Sequence, residues 1–581
     1  MRPRYLMLLT AASSVRAATD RLAAATGLRC VLATGRLALL ANEACACLPI
    51  EGAGAVLGTL FPRHGPPRAL NAFDDDAQAA LARGRTEVLL DRYWGSYVAA
   101  FASGERIEVL RDPSGGLPCY WSRCSGETVF ASDVDLLIAA GAVEPRIDWP
   151  ALTRFLALSG LPVPETALVG VRELLAGFAV WPDQPESEAA IWSPWDFADV
   201  PCEAAATLTP DRLRQIVRNC IAAWASRSSR AIVSLSGGLD SSLVTAGLAG
   251  GGGTVSCLTM YGADPAGDER PFARALCAEK GLTLFEHPYE LTAIDIQQAL
   301  GSHLPRPIGR VQDQAYEAAH IALARMERGD TFFTGNGGDN VFGYSQSAAP
   351  IADRIRYGGS LLGALQTTRD VCRQTGSGPL RALGAGLRLA MRSPAYRWRA
   401  NRSFLNLEPA SEALALHFLH PWLMAPRGAL PGKAAHIAAI LRAQFNLEPG
   451  RSRYAPVVNP LLSQPIVEAC LSVPSWTWRK GGRDRALARE AFADDLPAAI
   501  LQRRAKGTPD QFCAAVLRHF REPVRARLLG GHLAAHGIVD RHALGHLLGA
   551  AGRPGPVEIV RLFEFLNVEA WLDHWIGRGA A

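Results

Sequence analysis

Ala231–Ser242, AIVSLSGGLDSS, is the stretch that decides the fold of the second half of this chain. It begins as a short apolar strand, turns at two glycines and continues from Leu239 in a pattern typical of a helix. Glycines let a backbone approach an oxyanion closely, and the free N–H groups at the start of a helix point towards that anion. The order of strand, glycine turn and helix therefore predicts an anion-binding site.

The polar side chains of this stretch indicate which anion it binds. Serine hydroxyls add donors, but Asp240 would repel a phosphate unless a cation lay between them. We therefore predict a nucleotide bound together with Mg²⁺. No Lys follows the glycines, which excludes the phosphate loop of kinases and GTPases. The residues predicted to bind ATP or its pyrophosphate here are Ser234, Leu235, Ser236, Gly237, Gly238, Asp240, Ser241 and Ser242.

Strand-like and helix-like patterns alternate after this stretch, which predicts a parallel, doubly wound sheet. Residues 254–261 form a second buried strand pattern, 268–281 an amphipathic helix pattern and 283–287 a third strand pattern. Ligands of such sheets lie at the carboxyl ends of the strands. The end of the second strand should therefore face the adenine or ribose, through Leu258, Thr259 and Met260.

A second glycine-rich stretch, Thr331–Tyr344, TFFTGNGGDNVFGY, follows another short strand pattern. We expect Gly335 and Asn336 to contact ATP, and Asp339 to supply a second carboxylate. Mg²⁺ takes one or two protein carboxylates together with phosphate oxygens and water. Two aspartates on separate loops at strand ends suit that arrangement, so we predict Asp240 and Asp339 as metal ligands and as catalytic residues.

The first part of the chain has a different pattern. Short strand-like runs alternate with turn signals, and helical patterns at 76–84 and 147–159 interrupt them, which predicts an α+β layered domain over residues 1–182. Residues 183–208 are rich in Pro, Trp and acidic residues and are predicted to be a linker. Residues 209–581 then form the second domain.

Together these motifs resemble those of the asparagine synthetase family. SGGLDSS is similar to its pyrophosphate loop, and GNGGDNVFGY to its second loop. DRYWGSY (91–97), RDPSGGLPCY (111–120) and FASDVDLL (130–137) are similar to its glutamine amidotransferase domain. The resemblance implies an Ntn-type α+β amidotransferase-like domain followed by an α/β ATP-pyrophosphatase domain with extra helices. It also implies a catalytic role for Lys506, in the segment QRRAKG.

The chain departs from this family at two positions. The family's glutaminase uses a cysteine at position 2, where this chain has Arg2, and the first cysteine is Cys30. We therefore expect no release of ammonia from glutamine, the alternative being a propeptide whose removal exposes Cys30. The apolar run Leu28–Thr34 predicts an interior strand, which disfavours that alternative. Asn336 stands where asparagine synthetases carry Glu and β-lactam synthetases carry Tyr. An amide is no base near neutral pH, so the proton of the attacking amine must go elsewhere.

This combination resembles the macrolactam synthetases (cyclases) of lasso peptide biosynthesis. The resemblance implies that ATP adenylates an Asp or Glu side chain of a precursor peptide and that the N-terminal amine of the same peptide attacks it. A protease that removes a leader peptide is the implied partner. A β-lactam synthetase-like enzyme, an ammonia-dependent asparagine synthetase and an inactive scaffold remain open alternatives.

The composition excludes several other classes. The net charge of +5 over 581 residues is too small to indicate nucleic-acid binding, and no apolar run is long enough for a membrane span. The twelve cysteines lack metal-ligand spacing, as expected for reduced thiols of a cytoplasmic protein. Residues 351–403 are rich in arginine, which indicates either a solvated helical face or a docking surface for an acidic peptide or a partner protein.

Overall fold

The computed structural model describes residues 2–103, 106–184, 188–199, 208–357, 361–415, 420–445, 447, 449–504, 507–549 and 551–580. Its N-terminal part contains the strands β1 (Tyr5–Leu9), β2 (Arg29–Thr34), β3 (Leu37–Ala41), β4 (Cys47–Ile50), β5 (Gly54–Pro62), β6 (Tyr93–Ser103), β7 (Arg106–Arg111), β8 (Tyr120–Cys124), β9 (Glu127–Ala131), β10 (Arg172–Glu173), β11 (Phe178–Val180) and β12 (Ala189–Ala190). Its helices are α1 (Val15–Thr26), α2 (Asp75–Ala82), α3 (Glu87–Arg92), α4 (Val134–Ala139), α5 (Trp149–Leu158) and α6 (Trp195–Ala198).

These strands form two antiparallel six-stranded sheets that pack face to face. The orders are β10-β8-β9-β1-β3-β2 and β12-β11-β7-β6-β5-β4. Because side chains alternate along a strand, Met7 of β1 and Leu57 of β5 lie in the core between the sheets, while Leu8 packs on the outer side with α1. Tyr97 of β6 faces the other outer layer with α2. The predicted layered α+β domain is therefore confirmed as two sheets between helical layers.

Two details of the N-terminal part differ from the sequence expectations. β2 is an edge strand that pairs with β3 alone, and Cys30 on it is exposed, whereas the apolar run suggested an interior strand. Part of the predicted linker is packed: β12 pairs with β11, and the indole N–H of Trp195 in α6 donates to the carbonyl of Trp422 at 2.8 Å. Buried aromatic side chains thus hold residues 188–199 against both domains.

The second part of the chain contains a five-stranded parallel sheet in the order β15-β14-β13-β16-β17. Its strands are β13 (Arg230–Ser234), β14 (Thr254–Tyr261), β15 (Thr283–Pro288), β16 (Thr331–Phe333) and β17 (Val457–Val458). Helices α7 (Pro210–Ala225), α8 (Leu239–Ala249) and α9 (Arg270–Lys280) pack on one face, and α10 (Asp313–Glu327) packs on the other. The predicted doubly wound topology is confirmed.

Further helices surround this sheet, as the extra helices of the prediction required. They are α11 (Gly338–Val341), α12 (Ala349–Arg356), α13 (Leu361–Thr375), α14 (Pro379–Ala390), α15 (Leu407–Ala415), α16 (Pro431–Gln444), α17 (Gln464–Ser472), α18 (Ala486–Ala491), α19 (Ala498–Gln502), α20 (Asp510–His519), α21 (Arg521–Gly530), α22 (His532–Ala535), α23 (Arg541–Leu548) and α24 (Pro556–Ile576). α24 is buried on most sides and packs with α5 of the N-terminal part, so one core crosses the domain boundary.

The described residues include no helix that combines the length and the hydropathy required of a membrane span. The eleven cysteines among them are all free thiols.

Candidate active site

The first glycine loop joins β13 to α8 at the carboxyl edge of the parallel sheet. Gly237 adopts a φ of +62°, and a Cβ there would lie 2.5 Å from the Cβ of Phe272, so no other residue fits without displacing α9. Gly238 precedes the first turn of α8, whose backbone N–H groups lack intrahelical partners. This helix start borders a cavity of about 630 Å³.

The second glycine loop lies directly against the first. A Cβ on Gly335 would lie 2.8 Å from the carbonyl carbon of Asp240, and one on Gly338 would lie 2.5 Å from the Cβ of Asp240. Only residues without side chains allow this approach of the two backbones. The structure therefore places Asp240 and Asp339 in one site, although they are far apart in sequence.

A guanidinium lies between the two carboxylates. Arg485 Nη1 is 3.0 Å from Asp240 Oδ2 and 2.5 Å from Asp339 Oδ1, and Arg485 Nε is 2.8 Å from Asp484 Oδ2. Burial alone would lower the pKa of Arg485, but the neighbouring carboxylates outweigh burial and raise it. The carboxylates predicted to bind a metal ion thus share a positive charge from the protein itself.

Arg485 and its support are the functional residues that the sequence did not indicate. The residue has a φ of +50°, just before α18, and Arg489 one turn later holds Asp484 with a 3.0 Å ion pair. The spacing of four residues between the two arginines is the only local signal, and it is common on helical surfaces. Nothing in the sequence connects this pair to the glycine loops.

Most of the residues predicted to bind ATP line the cavity. Those that do are Ser234, Leu235, Ser236, Gly238, Asp240, Ser241, Leu258, Met260, Gly335 and Asn336, and Asp339, predicted as a metal ligand, also lines it. Gly237, Ser242 and Thr259 do not. Because side chains alternate along a strand, Thr259 lies on the opposite face of β14 from Leu258 and Met260, where it is 1% exposed. Lys506 lies outside the described residues, so its predicted role stays a prediction.

The hydroxyl of Ser234 has a structural partner. His320 Nδ1 lies 2.8 Å from the carbonyl oxygen of Tyr316 and donates to it, so Nε2 accepts from Ser234 Oγ at 2.8 Å. Burial lowers the pKa of His320 to about 3, which keeps the ring neutral. Ser234 therefore contributes to the wall of the cavity while its hydroxyl is directed towards α10.

Further arginines line the cavity beside the first loop. Arg503 donates from Nη1 to the carbonyl of Ser236 at 3.2 Å and pairs with Glu269 at 2.5 Å. Arg310 and Arg504 also line it, are exposed and form no ion pair in the part of the chain that the structure describes. These cations suit a ligand with several negative charges.

Asp313, at the start of α10, also lines the cavity. Burial raises the pKa of its carboxyl to about 6. This carboxyl can therefore exchange a proton close to neutral pH, which the amide of Asn336 cannot do.

The lining fits ATP in its chemistry. Leu258, Met260, Leu300 and Ile308 give one side an apolar surface suited to a base, while the start of α8 and the arginines suit phosphates. Asp240 and Asp339 are the side chains that would hold Mg²⁺, and the described residues contain no group of three or more His, Cys, Asp or Glu side chains placed to hold a metal ion. Phosphate oxygens and water would complete the coordination.

A second cavity, of about 180 Å³, lies between the domains. Arg2 lines it, and Arg2 Nη2 lies 3.3 Å from Asp133. The described residues around this cavity include no cysteine, so it offers no thiol nucleophile. Val457 and Asn459 line both cavities, which are therefore neighbours.

Comparisons with known proteins place this site in a family. The family model described as asparagine synthase matches residues 212–446 and 454–573, and the one described as a glutamine amidotransferase domain matches residues 78–192. Among curated proteins, none matches the chain.

Two solved structures share weak similarity with the chain, each at 10% identity. "Structure of the allosteric regulatory enzyme of purine biosynthesis" matches with a TM-score of 0.20, over 49% of this chain and 74% of the other. Glutamine phosphoribosylpyrophosphate amidotransferase from B. subtilis, complexed with ADP and GMP, matches with a TM-score of 0.19, over 49% and 75%. At these TM-scores neither structure bears on the fold described above.

The asparagine synthase match covers more than half of the chain and includes both glycine loops and Arg485. The chain therefore belongs to the asparagine synthase family, which implies an ATP-dependent, amide-forming ligase.

Proposed function

We propose that this protein forms a macrolactam in a precursor peptide, as in lasso peptide biosynthesis. A side-chain carboxylate of the peptide attacks the α-phosphorus of ATP and releases pyrophosphate. The N-terminal amine of the same peptide then attacks the activated carbonyl carbon, and AMP leaves. The products are an isopeptide-linked ring, AMP and pyrophosphate.

The observation that carries this proposal is the contrast between the two cavities. The ATP site brings Asp240 and Asp339 together beside the start of α8, whereas the cavity bordered by Arg2 has no cysteine among its described lining residues. An amide ligase without glutaminase chemistry needs another amine, and an amine on the substrate peptide is held at high effective concentration. The leader-peptide protease that would expose this amine is the proposed partner.

The described residues account for charge stabilisation in the first step. The N–H groups of α8 and the guanidinium groups of Arg503 and Arg504 would stabilise the negative charge that develops on the phosphates. Bound Mg²⁺ would add a cation between the phosphates and the two aspartates. Lys506 is proposed to stabilise negative charge together with these groups, both when the carboxylate is adenylated and when the amine attacks it.

The experiment is an end-point assay with the purified protein, ATP, Mg²⁺ and the precursor peptide encoded beside its gene, trimmed to expose the amine. We expect AMP formation and a peptide that has lost one water. The Asp240→Asn variant should lose both products, whereas Asp268→Asn, which changes a carboxylate outside the cavity, should keep them. A peptide with an acetylated amine should still support ATP–pyrophosphate exchange but form no ring.

One observation favours a second candidate, an ammonia-dependent asparagine synthetase. Val457 and Asn459 border both cavities, so ammonia held in the second cavity would lie next to the first. The same assay with aspartate and ammonium tests it. Asparagine formation without any reaction of the peptide would replace the macrolactam proposal, and cyclisation of a small β-amino acid would support a β-lactam synthetase-like enzyme instead.

A further inference from the structure

Two neighbouring helices present an exposed surface of leucine and arginine side chains. α13 and α14 both pack on α12, and their outward residues form what we call the leucine–arginine face. Its apolar members are Leu361, Leu362, Leu365, Leu380, Leu387 and Met391, which are between 43% and 86% exposed. Its basic members are Arg369, Arg373, Arg381, Arg388 and Arg392, all exposed.

The apolar members are grouped rather than scattered. Leu380 and Leu387 lie seven residues apart on α14, and Met391 follows four residues later, so the three form one stripe on a helix with about 3.6 residues per turn. Leu361 and Leu365 lie one turn apart on α13. Single exposed apolar residues need no explanation, but a contiguous group marks an interaction site.

The charge of the face is unbalanced. Residues 349–403 contain ten arginines, no lysine and only two acidic residues, Asp353 and Asp370. Both aspartates are buried, and Asp353 accepts hydrogen bonds from the backbone N–H of Gly432 and from Ser475 Oγ, each at 2.6 Å. The five arginines of the face form no ion pair within the described residues. Their charge is therefore available to carboxylates from outside.

The mixture of leucine and arginine side chains indicates which kind of partner the face could bind. A second copy of this chain would bring arginine against arginine, which is repulsive. A helix that lies on a membrane separates its basic residues from its apolar ones, as α14 does. On α13, however, Leu362 lies between Arg369 and Arg373 around the helix, so the face as a whole lacks that separation. Guanidinium groups bind carboxylates with two parallel hydrogen bonds. An acidic helix with leucines among its carboxylates complements this face.

The face is also connected to the rim of the ATP site. Gln374, at the end of α13, donates to the carbonyl of Ser345 at 3.2 Å and accepts from Arg479 at 2.8 Å. The residue before Ser345 is Tyr344, which is 40% exposed and lines the ATP cavity. A protein bound to the face would therefore lie close to Tyr344, an exposed residue of the cavity wall.

We propose that the leucine–arginine face docks an acidic, leucine-bearing helix of a partner protein beside the ATP site. This interaction does not depend on which amide the enzyme forms, so it goes beyond the proposed function and can fail or hold separately from it.

The test measures binding of a fluorescein-labelled helical peptide with glutamate and leucine on one face to the full-length protein. The triple variant Arg369→Glu, Arg373→Glu, Arg388→Glu should weaken binding roughly tenfold or more, since each exposed ion pair contributes up to about fivefold. Replacing Leu361, Leu365 and Leu380 by Ser should also weaken it. The matched control is Arg16→Glu, Arg212→Glu, Arg541→Glu, three exposed arginines elsewhere, which should bind as the wild type does.

A charge swap makes the test specific. A peptide with lysine in place of glutamate should bind the triple glutamate variant and not the wild type. Equal affinity of the wild type and the triple variant for the acidic peptide would overturn the proposal, as would binding of anionic phospholipid vesicles without binding of the peptide. ATP–pyrophosphate exchange by each variant reports separately whether the ATP site remains intact.

Discussion

Arg485 Nη1 lies 3.0 Å from Asp240 Oδ2, and the same nitrogen contacts the carboxylate of Asp339 on the second glycine loop. A protein cation therefore offsets part of the negative charge of the two carboxylates that the sequence predicts as metal ligands. Mg²⁺ and this guanidinium would compete for the same oxygens. We therefore expect Arg485 to affect both the stability of the site and its response to Mg²⁺.

Replacing Arg485 by Met should expose this competition. The variant leaves three carboxylates close together, so we expect the free energy of unfolding to fall by about 2–3 kcal/mol. Added Mg²⁺ should restore part of that loss in the variant and change the wild type little. Urea unfolding with and without Mg²⁺ measures this. Arg274→Met, which breaks an exposed pair with Glu286, is the matched control. If Mg²⁺ did not change the free energy of unfolding of the Arg485→Met variant, Mg²⁺ and Arg485 would not compete for these carboxylates.

Gly338→Ala should separate the two glycine loops. Its new Cβ would lie 2.5 Å from the Cβ of Asp240, so the loops must move apart. We expect AMP formation to fall about a hundredfold, the size of effect expected for a misplacement of about 1 Å at a reacting site. Gly384→Ala in α14 is the control, because its Cβ would meet no atom within 4 Å. Similar rates for the two variants would show that the contact between the loops is unimportant.

The pH dependence of stability should report the carboxyl of Asp313. Its pKa of about 6 is above its ordinary value of 3.8. The stability that the protonated carboxyl contributes is therefore fully present below about pH 4 and is lost as the pH rises through 6. Asn resembles the protonated form. The free energy of unfolding of Asp313→Asn, measured relative to that of the wild type, should therefore be about 2 kcal/mol higher at pH 8 than at pH 4.

Urea titrations of the wild type and the Asp313→Asn variant at several pH values provide this measurement. Asp330 supplies a control of opposite sign. Hydrogen bonds from Ser228 and Ser229 outweigh its burial and lower the pKa of Asp330 below 3.8. The destabilisation caused by Asp330→Asn should therefore be nearly constant from about pH 5 to 8 and should decrease as the pH falls below about 4. A stability difference for Asp313→Asn that is constant between pH 4 and 8 would rule out the raised pKa.

Glutamine should not serve as a nitrogen donor. Arg2, which lines the second cavity, carries no nucleophilic thiol, and Cys30 lies exposed on edge strand β2. We expect no glutamate from glutamine in the presence of ATP and Mg²⁺, measured by coupled glutamate oxidation. Cys30→Ser should behave as the wild type does. Glutamate release that disappears in Cys30→Ser would instead support the alternative in which Cys30 becomes the nucleophile.

The local patterns of the sequence predicted the elements that build the ATP site. β14 spans the residues expected of it, and α8 begins at Leu239 as its helical pattern indicated. The nine-residue strand β5 was not predicted, because Gly54, Gly58 and Pro62 are turn signals. In the structure Gly58 has a φ of +113°, and a Cβ there would clash with the carbonyl oxygen of Ser96. Whether such a stretch forms a strand depends on its pairing with β6, which no local pattern reveals.

The sequence by itself determined the two glycine loops, because the conformations available to glycine and the start of a helix are local properties. It also determined that Arg2 precedes the first strand. Tertiary structure alone decided that Arg485 lies between Asp240 and Asp339, that Thr259 faces away from the cavity and that Ser234 bonds to His320. These relations depend on the packing of distant segments, for which a single sequence carries no local signal.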